Sequence, residues 1–276
     1  KEDLKNELKP DLPFVTLEDF NGVGDGSTDD STALINAIAA KKPIQLLDGK
    51  NYFVSNNVTE TLTNDLITYS EGKATITGDE TQSYTLFTVN SNINILLSNI
   101  NFRNHSTVFS FGAVTSNLNW QNLSFNNLSN RAVIYTDNGN ITGFINDITL
   151  DSCTDGIKLG GTCTDININN ISLTNFSSTG GCEGIIVGSN TYPANNTTIK
   201  NVYAKDIAST GTSSEQQVIL VNGDNTLIEN VYCENISSAA AGDDHEPIYT
   251  KGNYITVKDV HFKNCTGTGD AHLTFK

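Results

Sequence analysis

Asn99-Ile100-Asn101-Phe102 is the first of seven copies of a short phrase that governs the organisation of the chain. Each copy has Asn or Asp, then an aliphatic residue, then a polar or aromatic residue, then an apolar residue or Cys. The other copies are Asn122-Leu123-Ser124-Phe125, Asp147-Ile148-Thr149-Leu150, Asn170-Ile171-Ser172-Leu173, Asn201-Val202-Tyr203-Ala204, Asn230-Val231-Tyr232-Cys233 and Asp259-Val260-His261-Phe262. Successive copies begin 23 to 31 residues apart. Recurrence in this range indicates a solenoid.

The phrase also indicates which secondary structure each repeat forms. Apolar residues alternate within a copy, which is typical of a strand. Asn and Asp tolerate the left-handed conformation that a tight bend requires, and stacked Asn side chains can hydrogen-bond as a ladder. A β-sandwich would instead show turn signals every 8–12 residues or so. The sequence therefore predicts an all-β chain folded as a parallel β-helix.

Composition excludes some partners. The 276 residues carry a net charge of −15 and include only two arginines, Arg103 and Arg131. A nucleic-acid-binding protein needs a basic face, so no nucleic acid is expected, and a strongly polyanionic substrate is disfavoured. No signal peptide and no apolar run long enough to span a bilayer is found, so membrane insertion is not expected. The five cysteines do not suggest a disulfide framework, and folding in a reducing cytoplasm is plausible.

The two ends of the chain differ from its body. Residues 1–13 are charged, with Leu4, Leu8 and Leu12 at helical spacing, and are interpreted as a leader or the remnant of a coiled-coil neck. Residues 14–276 form the predicted β-helix domain. The chain ends in strand-like residues with no cap after them, and an uncapped solenoid end exposes a strand edge. We therefore expect the domain to be truncated at its C-terminus.

The stretch from Phe20 to Ile38 contains a glycine-rich acidic loop and then an amphipathic helix. Thr28 or Asp29 is suited to cap that helix, and Leu34, Ala37 and Ile38 give it one apolar face. A short helix of this kind can cover the open end of the solenoid core.

The same stretch carries a family resemblance. Phe20-Asn21-Gly22-Val23-Gly24-Asp25-Gly26-Ser27-Thr28-Asp29-Asp30, followed by Ala33-Leu34 and Ala37-Ile38, closely resembles the N-terminal signature of the pectate-lyase-like β-helix superfamily. That family includes bacteriophage tailspikes and neck appendages, polygalacturonases, alginate epimerases and some lyases. The resemblance implies a right-handed parallel β-helix with a short N-terminal capping helix. It also implies a structural role for the acidic loop.

A second column of strands lies between copies of the phrase. Because side chains alternate across a strand, Val133, Ile157, Ile185, Val218 and Ile248 are expected to point inward. Their neighbours Ile134, Lys158, Ile186, Ile219 and Tyr249 would then point outward. Outward aliphatic residues suggest either a subunit interface or a face covered by long loops. Phage tailspikes of this family are commonly homotrimers, so a homotrimer is the expected assembly.

An acidic column precedes these strands. Asp155, Glu183 and Glu246 lie two residues before the inward position, Glu215 lies three before it, and Arg131 holds the equivalent place one turn earlier. Parallel strands are ~4.8 Å apart, so acids one or two turns apart fall in the range that glycosidases use for paired carboxylates, ~5–9.5 Å. These acids are candidates for an acid–base pair, although solvated bend residues would show the same pattern.

The densest polar cluster is Asp243-Asp244-His245-Glu246. It loosely resembles the Asp-Pro-His-Glu motif of alginate epimerases, with Asp244 in place of the proline. Carboxylates beside a histidine could serve a lyase or hold Ca²⁺, but the cluster could equally be an exposed loop. No cofactor other than this possible calcium ion is predicted.

The predicted catalytic residues are therefore Asp155, Glu183, Glu215, Asp244, His245 and Glu246. The predicted substrate-binding residues are Tyr192, Tyr249, Arg131 and Lys158.

The expected function is that of a bacteriophage tailspike or appendage. It would fold in the host cytoplasm, reside in the virion and act outside the cell on a bacterial surface polysaccharide or cell-wall glycan. The chemistry expected first is hydrolysis by paired carboxylates. A lyase or epimerase using His245 and Tyr249, or degradation of teichoic acid, are the enzymatic alternatives. A rigid shaft that only binds glycan is the non-enzymatic one.

Overall fold

The structure is a computed structural model, and it describes residues 13–55, 61–79, 81, 84–135, 139–210, 216–238, 246–266 and 273–275. Residues 1–12, assigned above to a leader or neck, lie outside this range. A 3-10 turn spans Glu18–Phe20, and one α-helix, α1, spans Ser31–Ala39. The strands are β1 (Val15–Thr16), β2 (Asp25–Asp29), β3 (Ile44–Leu46), β4 (Asn51–Phe53), β5 (Thr61–Leu62), β6 (Leu66–Thr77), β7 (Thr85–Val89), β8 (Asn94–Arg103), β9 (Thr107–Phe111), β10 (Thr115–Asn126), β11 (Arg131–Tyr135), β12 (Asn140–Asp151), β13 (Ile157–Leu159), β14 (Cys163–Ser178), β15 (Cys182–Val187), β16 (Ala194–Ser209), β17 (Gln216–Ser238), β18 (Ile248–Lys251), β19 (Ile255–Lys263) and β20 (Leu273–Phe275).

These strands stack into a parallel β-helix of about nine turns. One ladder, sheet A, contains β6, β8, β10, β12, β14, β16, β17 and β19 among its strands. A second ladder, sheet B, contains β5, β7, β9, β11, β13, β15, β17, β18 and β20. Within the described residues, the strand pairings of both sheets are all parallel, and β17 is long enough to belong to both sheets. The predicted fold, including a helix near the N-terminus, is confirmed.

The predicted bends are the most regular feature of the solenoid. The Asn or Asp that begins each copy of the phrase has a left-handed backbone, with φ between 52° and 59° in all seven cases. Side chains of this first bend ladder are bonded between turns, as in the 2.8 Å bond that Asn122 Nδ2 donates to Asn99 Oδ1. An amide can donate and accept, so it links the turn above to the turn below.

A second bend ladder, which the sequence analysis did not predict, lies five residues further along each turn. Its left-handed residues are Asn104, Asn127, Ser152, Asn175, Asp206, Asn235 and Asn264. The bond from Asn127 Nδ2 to Asn104 Oδ1 is 2.9 Å, and that from Asn235 Nδ2 to Asp206 Oδ1 is 2.7 Å. In both ladders each Asp stacks on residues that are not acidic. A carboxylate therefore always has an amide neighbour to donate to it.

The core fills the inside of the coil with the apolar residues of both sheets. Trp120 and Phe125 are fully buried, and the Phe102 and Phe125 rings stack with centroids 5.3 Å apart. The five cysteines are free thiols, four of them buried, and burial raises the pKa of Cys153 to about 12. The thiols therefore behave as apolar core groups.

The N-terminal loop and helix close one end of this core. Leu34 and Ala37 are buried and Ile38 packs against the core, as predicted for the apolar face of α1. The helix begins one residue later than the predicted caps allow, so Asp30 rather than Thr28 or Asp29 occupies the capping position. Its carboxylate accepts hydrogen bonds from the backbone N–H groups of Val23 (2.7 Å) and Gly24 (3.1 Å). In this contact the acidic loop has a structural role, because its carboxylate holds its own backbone.

One strand of sheet B differs in register from the prediction. Ile185 pairs with Ile219 rather than Val218, so Ile219 faces the core and Leu220 occupies the outward position. The pattern misses this because Val218, Ile219 and Leu220 form an apolar run without alternation. The other four expected inward residues do lie in one buried column. In the described part of the chain no helix combines the length and apolarity needed to cross a membrane.

Candidate functional site

A cleft of about 460 Å³ lies on the outward face of sheet B. Its floor is the outward column of β13, β15, β17 and β18, and its wall is the loop that follows β15. The residues most relevant to its chemistry are Lys158, Glu183, Tyr192, Gln217, Leu220 and Tyr249. The cleft therefore has an apolar floor, with Ile186 between Lys158 and Leu220, and polar groups at its edges.

The loop that walls the cleft is shaped by a glycine. Gly188 has φ +76°, and a Cβ there would lie 2.1 Å from the Asn222 carbonyl oxygen, so the backbones can meet only at glycine. The chain then turns back through a 2.9 Å hydrogen bond from Ser189 N to Tyr192 O. Tyr192 N donates in return to Ser189 Oγ at 3.1 Å. This closed turn holds Tyr192 at the edge of the cleft.

A charged cluster borders the cleft on one side. Arg131 Nη2 lies 2.7 Å from Asp155 Oδ2, and Arg131 Nη1 lies 2.9 Å from Glu183 Oε2. Lys158 Nζ lies 3.1 Å from the same Glu183 oxygen. The side chains of Arg131, Asp155 and Glu183 are 13%, 10% and 18% exposed. Ion pairs this far from bulk water are only weakly screened, so the cluster is rigid.

Asp155 is the most deeply placed acid of the cluster. Burial raises the pKa of its carboxyl above the ordinary value, and the Arg131 guanidinium opposes that rise. The backbone N–H of Glu183 also donates to Asp155 Oδ1 at 2.8 Å. Asp155 therefore links two turns through both its side-chain oxygens and does not itself line the cleft.

In the next two turns, the residues of the acidic column differ from those predicted. Glu183 pairs with Gln217, a buried residue that also lines the cleft, so an amide stands in the column where Glu215 was expected. Glu215 itself lies outside the described residues. One turn further, the register that pairs Ile219 with Ile248 brings Glu246 into line with Gln217. Glu246 is 7% exposed.

The structure brings together most of the described residues predicted for the site. Lys158, Glu183, Tyr192 and Tyr249 line the cleft, and Arg131 and Asp155 are joined to it through Glu183. Glu246 shares their column two turns from Glu183. Asp244 and His245 lie outside the described residues, as does Asp243.

Sequence reasoning missed three polar residues of the cleft: Gln217, Asn190 and Asn222. Asn190 Oδ1 accepts hydrogen bonds from Asn222 Nδ2 (3.0 Å) and Lys251 Nζ (2.7 Å), which ties the loop to β17 and β18. The correct register of β17 would have revealed both Gln217 and Asn222, because it stacks Gln217 on Glu183 and puts Asn222 on the same outward face as Leu220. Over the residues that can be described, no group of three or more His, Cys, Asp or Glu is placed to hold a metal ion.

Comparison with known proteins informs the fold. The sequence matches no protein-family model, and no curated protein matches it. Among solved structures, the glycan biofilm modifying enzyme WceF of Pantoea stewartii, which has a bacteriophage tailspike-like parallel β-helix fold, is 17% identical with a TM-score of 0.43. That alignment covers 83% of this chain but 39% of WceF, so the chain spans well under half of that protein.

Two further solved structures show the same kind of likeness. The N-terminal fragment of bacteriophage phi29 gene product 12 is 14% identical, with a TM-score of 0.38 and coverage of 99% of this chain and 67% of the fragment. A 1,3-α-1,4-β-D-galactose-4-sulfate-3,6-anhydro-D-galactose-2-sulfate 4 galactohydrolase is 12% identical, with a TM-score of 0.45 and coverage of 94% and 90%. Likenesses at this level assign no reaction to the cleft. The chain is a parallel β-helix, and its structural neighbours are parallel β-helix proteins of phages and of glycan metabolism.

Proposed function

We propose that the chain binds a polysaccharide in the sheet B cleft and hydrolyses it with Glu183 and Glu246. The observation that carries the proposal is the shared column: Glu183 and Glu246 stand two turns apart, with Gln217 between them. Two strand spacings place their backbones ~9.6 Å apart. Inverting glycosidases separate their two carboxyl groups by ~6.5–9.5 Å, which leaves room for the attacking water.

The surroundings of the two acids suit different roles. Arg131 and Lys158 both contact Glu183, and two cations stabilise the negative carboxylate that a general base must be. We assign Glu246, which is 7% exposed, as the proton donor to the leaving oxygen. Gln217, between them, has a buried amide that can donate to a sugar hydroxyl.

The rest of the cleft supports binding of a glycan chain. Tyr192 and Tyr249 border an apolar floor, which matches the mixed apolar and hydroxyl faces of a sugar ring. The substrate class we propose is a bacterial surface polysaccharide.

A second candidate function is binding without cleavage. One specific observation favours it: Arg131 and Lys158 together contact both oxygens of the Glu183 carboxylate. A carboxylate bound in this way can have a purely structural role. On this reading the β-helix is a rigid shaft or adhesin that presents the cleft to a host glycan.

The biological setting we propose is a bacteriophage tailspike or appendage that acts as a homotrimer on the host surface. Ile134 remains partly exposed in the outward column of sheet B, outside the cleft lining, which supports contact with a neighbouring subunit beside the cleft. Light scattering coupled to size-exclusion chromatography measures the assembly directly. A mass of one chain at micromolar concentration would contradict the trimer and leave the cleft unaffected.

The test of cleavage uses capsular and cell-wall polysaccharide preparations with the wild-type chain. Hydrolysis releases new reducing ends without the ultraviolet absorbance of an unsaturated uronate, whereas a lyase produces that absorbance. Glu183→Gln and Glu246→Gln should each lower the rate by about 10²–10⁴-fold, the usual contribution of a general acid or base. Glu229→Gln is the matched control, because Glu229 is also held by two cations, here Lys200 and Lys258, but lies on sheet A.

The outcomes separate the two candidates. Retained glycan binding with no released product from any preparation would favour the shaft. Full activity in either Gln variant would remove that residue from the mechanism. If hydrolysis occurs, the anomeric configuration of the first product, read by NMR, should be inverted.

A further inference from the structure

A second, larger groove of about 730 Å³ lies on the outward face of sheet A and shares no residue with the sheet B cleft. It crosses β10, β12, β14, β16 and β17. Two neighbouring outward columns line it. One contains Asn119, Phe144, Asn167, Thr198 and Leu227, and the other contains Gln121, Asn146, Asn169 and Lys200.

The groove contains an exposed aromatic ring. Phe144 is 59% exposed and lies between Asn119 and Asn167 in its column. It follows Gly143, whose φ of +128° accompanies a shift in register between β12 and β14. A Cβ at position 143 would lie 2.0 Å from the Leu118 carbonyl oxygen, so glycine is required beside the ring. A ligand that covered the ring would gain the free energy of its burial.

The amides around the ring are free of bonds within the described chain. The side chains of Asn119, Gln121 and Asn167 make no hydrogen bond to any described residue, in contrast to the bend ladders, where the Asn side chains are bonded from turn to turn. Each primary amide offers a carbonyl acceptor and an N–H donor side by side. Adjacent hydroxyls of a sugar ring present the complementary pair.

Charge narrows the class of ligand. The described residues that line the groove offer amides, hydroxyls and apolar groups, and Lys200 is the one ionised residue among them. Lys200 Nζ lies 2.9 Å from Glu229 Oε2, and Lys258 Nζ binds the other oxygen of that carboxylate at 2.7 Å. The lysine charge is therefore already neutralised. A lining without a free cation, in a chain of net charge −15, selects against a polyanion.

We infer that this groove is a second glycan-binding site, for a neutral oligosaccharide, in which Phe144 stacks on a sugar ring and Asn119, Gln121 and Asn167 bind its hydroxyls. Among the described residues that line the groove there is no pair of carboxylates, so we assign it binding rather than cleavage. A protein partner docking through Phe144 would need apolar neighbours, and the unbonded amides around the ring favour sugar instead.

The test is titration of the intact chain with neutral hexaoses (maltohexaose, cellohexaose and chitohexaose) and with hexagalacturonate, followed by NMR or calorimetry. Phe144→Ala and Asn167→Ala should each weaken binding of the preferred neutral hexaose about tenfold, equivalent to ~1.4 kcal/mol. Both side chains face outward, so neither change disturbs the core. Tyr254→Ala is the control, because Tyr254 is an even more exposed aromatic residue outside the groove.

The titration is repeated in the Glu183→Gln, Glu246→Gln double variant, so that loss of the sheet B cleft and loss of this groove are seen separately. Binding should persist there. The inference is overturned if no neutral hexaose binds saturably, if Phe144→Ala and Asn167→Ala bind as tightly as the wild type, or if hexagalacturonate binds more tightly than every neutral hexaose.

Discussion

Arg131 Nη1 lies 2.9 Å from Glu183 Oε2, although the two residues belong to turns that are separated by the turn of Asp155. One guanidinium therefore spans three successive turns of the solenoid. The planar fork of arginine permits this, because its two terminal nitrogens point at different carboxylates. The contact fixes the position of the acid at the centre of the proposed reaction.

Replacing this arginine should destabilise the protein. Arg131→Met keeps the alkyl stem but leaves Asp155 and Glu183 without their shared cation, at a cost of about 2–4 kcal/mol in the free energy of unfolding. Burial already raises the pKa of Asp155. An acid of this kind costs stability above its pKa and none below its ordinary value, so the loss should be largest at neutral pH and shrink on acidification.

Arg103 provides the control for that experiment. It is the one other arginine in the chain and is exposed at the end of β8. Denaturant unfolding of Arg103→Met should match the wild type within ~0.5 kcal/mol. Equal losses in the two variants would show that the three-turn contact contributes nothing specific.

His105 should make the stability depend on pH. It is 2% exposed, Nε2 lies 3.2 Å from the Ile76 carbonyl oxygen, and burial lowers its pKa from 6.5 to about 4. Between pH 6.5 and 4, His105 is therefore protonated in the unfolded chain but not in the folded chain. The stability due to neutral His105 is complete above pH 6.5 and falls by about 3 kcal/mol as the pH approaches 4.

The measurement is the difference in unfolding free energy between wild type and His105→Gln at several pH values, which cancels the titration of the many surface acids. Part of the wild-type slope between pH 6.5 and 4 should disappear in this variant. His261→Gln, which changes an exposed histidine stacked 5.1 Å from Tyr232, should keep the wild-type slope. Parallel curves for wild type and His105→Gln would refute the assignment.

The register of β17 can be tested with two adjacent residues. Ile219 is fully buried and Leu220 faces outward, so Ile219→Ala should lose about 2–4 kcal/mol of stability and Leu220→Ala less than ~1. The two changes are similar in size and differ only in the face they touch. A larger loss at Leu220 would support the shifted register that the apolar pattern predicts.

The bend ladders predict that a single added carboxylate lowers the stability of the protein. Asn170 Nδ2 donates to Asp147 Oδ1, so Asn170→Asp puts two carboxylates in contact and removes the donor. We expect a loss of about 1–3 kcal/mol, partly recovered at low pH where one acid is protonated. Asn201→Asp is the matched control, since the Asn201 side chain bonds to the amides of Asn169 and Asn230 rather than to a carboxylate. Equal, pH-independent losses would argue against charge repulsion.

The bends and the strand alternation were predictable because both are local. Left-handed backbone at Asn99 and its six equivalents follows from residue type, and buried columns follow from period two. The second bend ladder escaped notice because Ser152 interrupts it and because its residues directly follow a strand that had already been assigned. Register in β17 could not be read locally, since the choice between Val218 and Ile219 depends on pairing with Ile185.

The candidate site was predicted in part for the same reason. Stacking of Asp155 and Glu183 follows from the repeat, but the reach of Arg131 across three turns depends on side-chain conformation, which no pattern encodes. The groove around Phe144 was missed because asparagines were interpreted as bends throughout. Asn119 and Asn167 are asparagines like those of the bends, but they lie within strands and have a different role.

The spacing of acids in the bend ladders bears on how the protein ages. Asparagine is thermolabile, and loss of its amide nitrogen leaves aspartate. At half of the ten asparagine positions in the two ladders a new carboxylate would have no acidic ladder neighbour, but beside Asp147, Asp206 or Asp259 it would meet another carboxylate. Deamidation damage should therefore concentrate at Asn122, Asn170, Asn175, Asn230 and Asn235, and the storage life of a preparation would be set by these few sites rather than by the asparagine content as a whole.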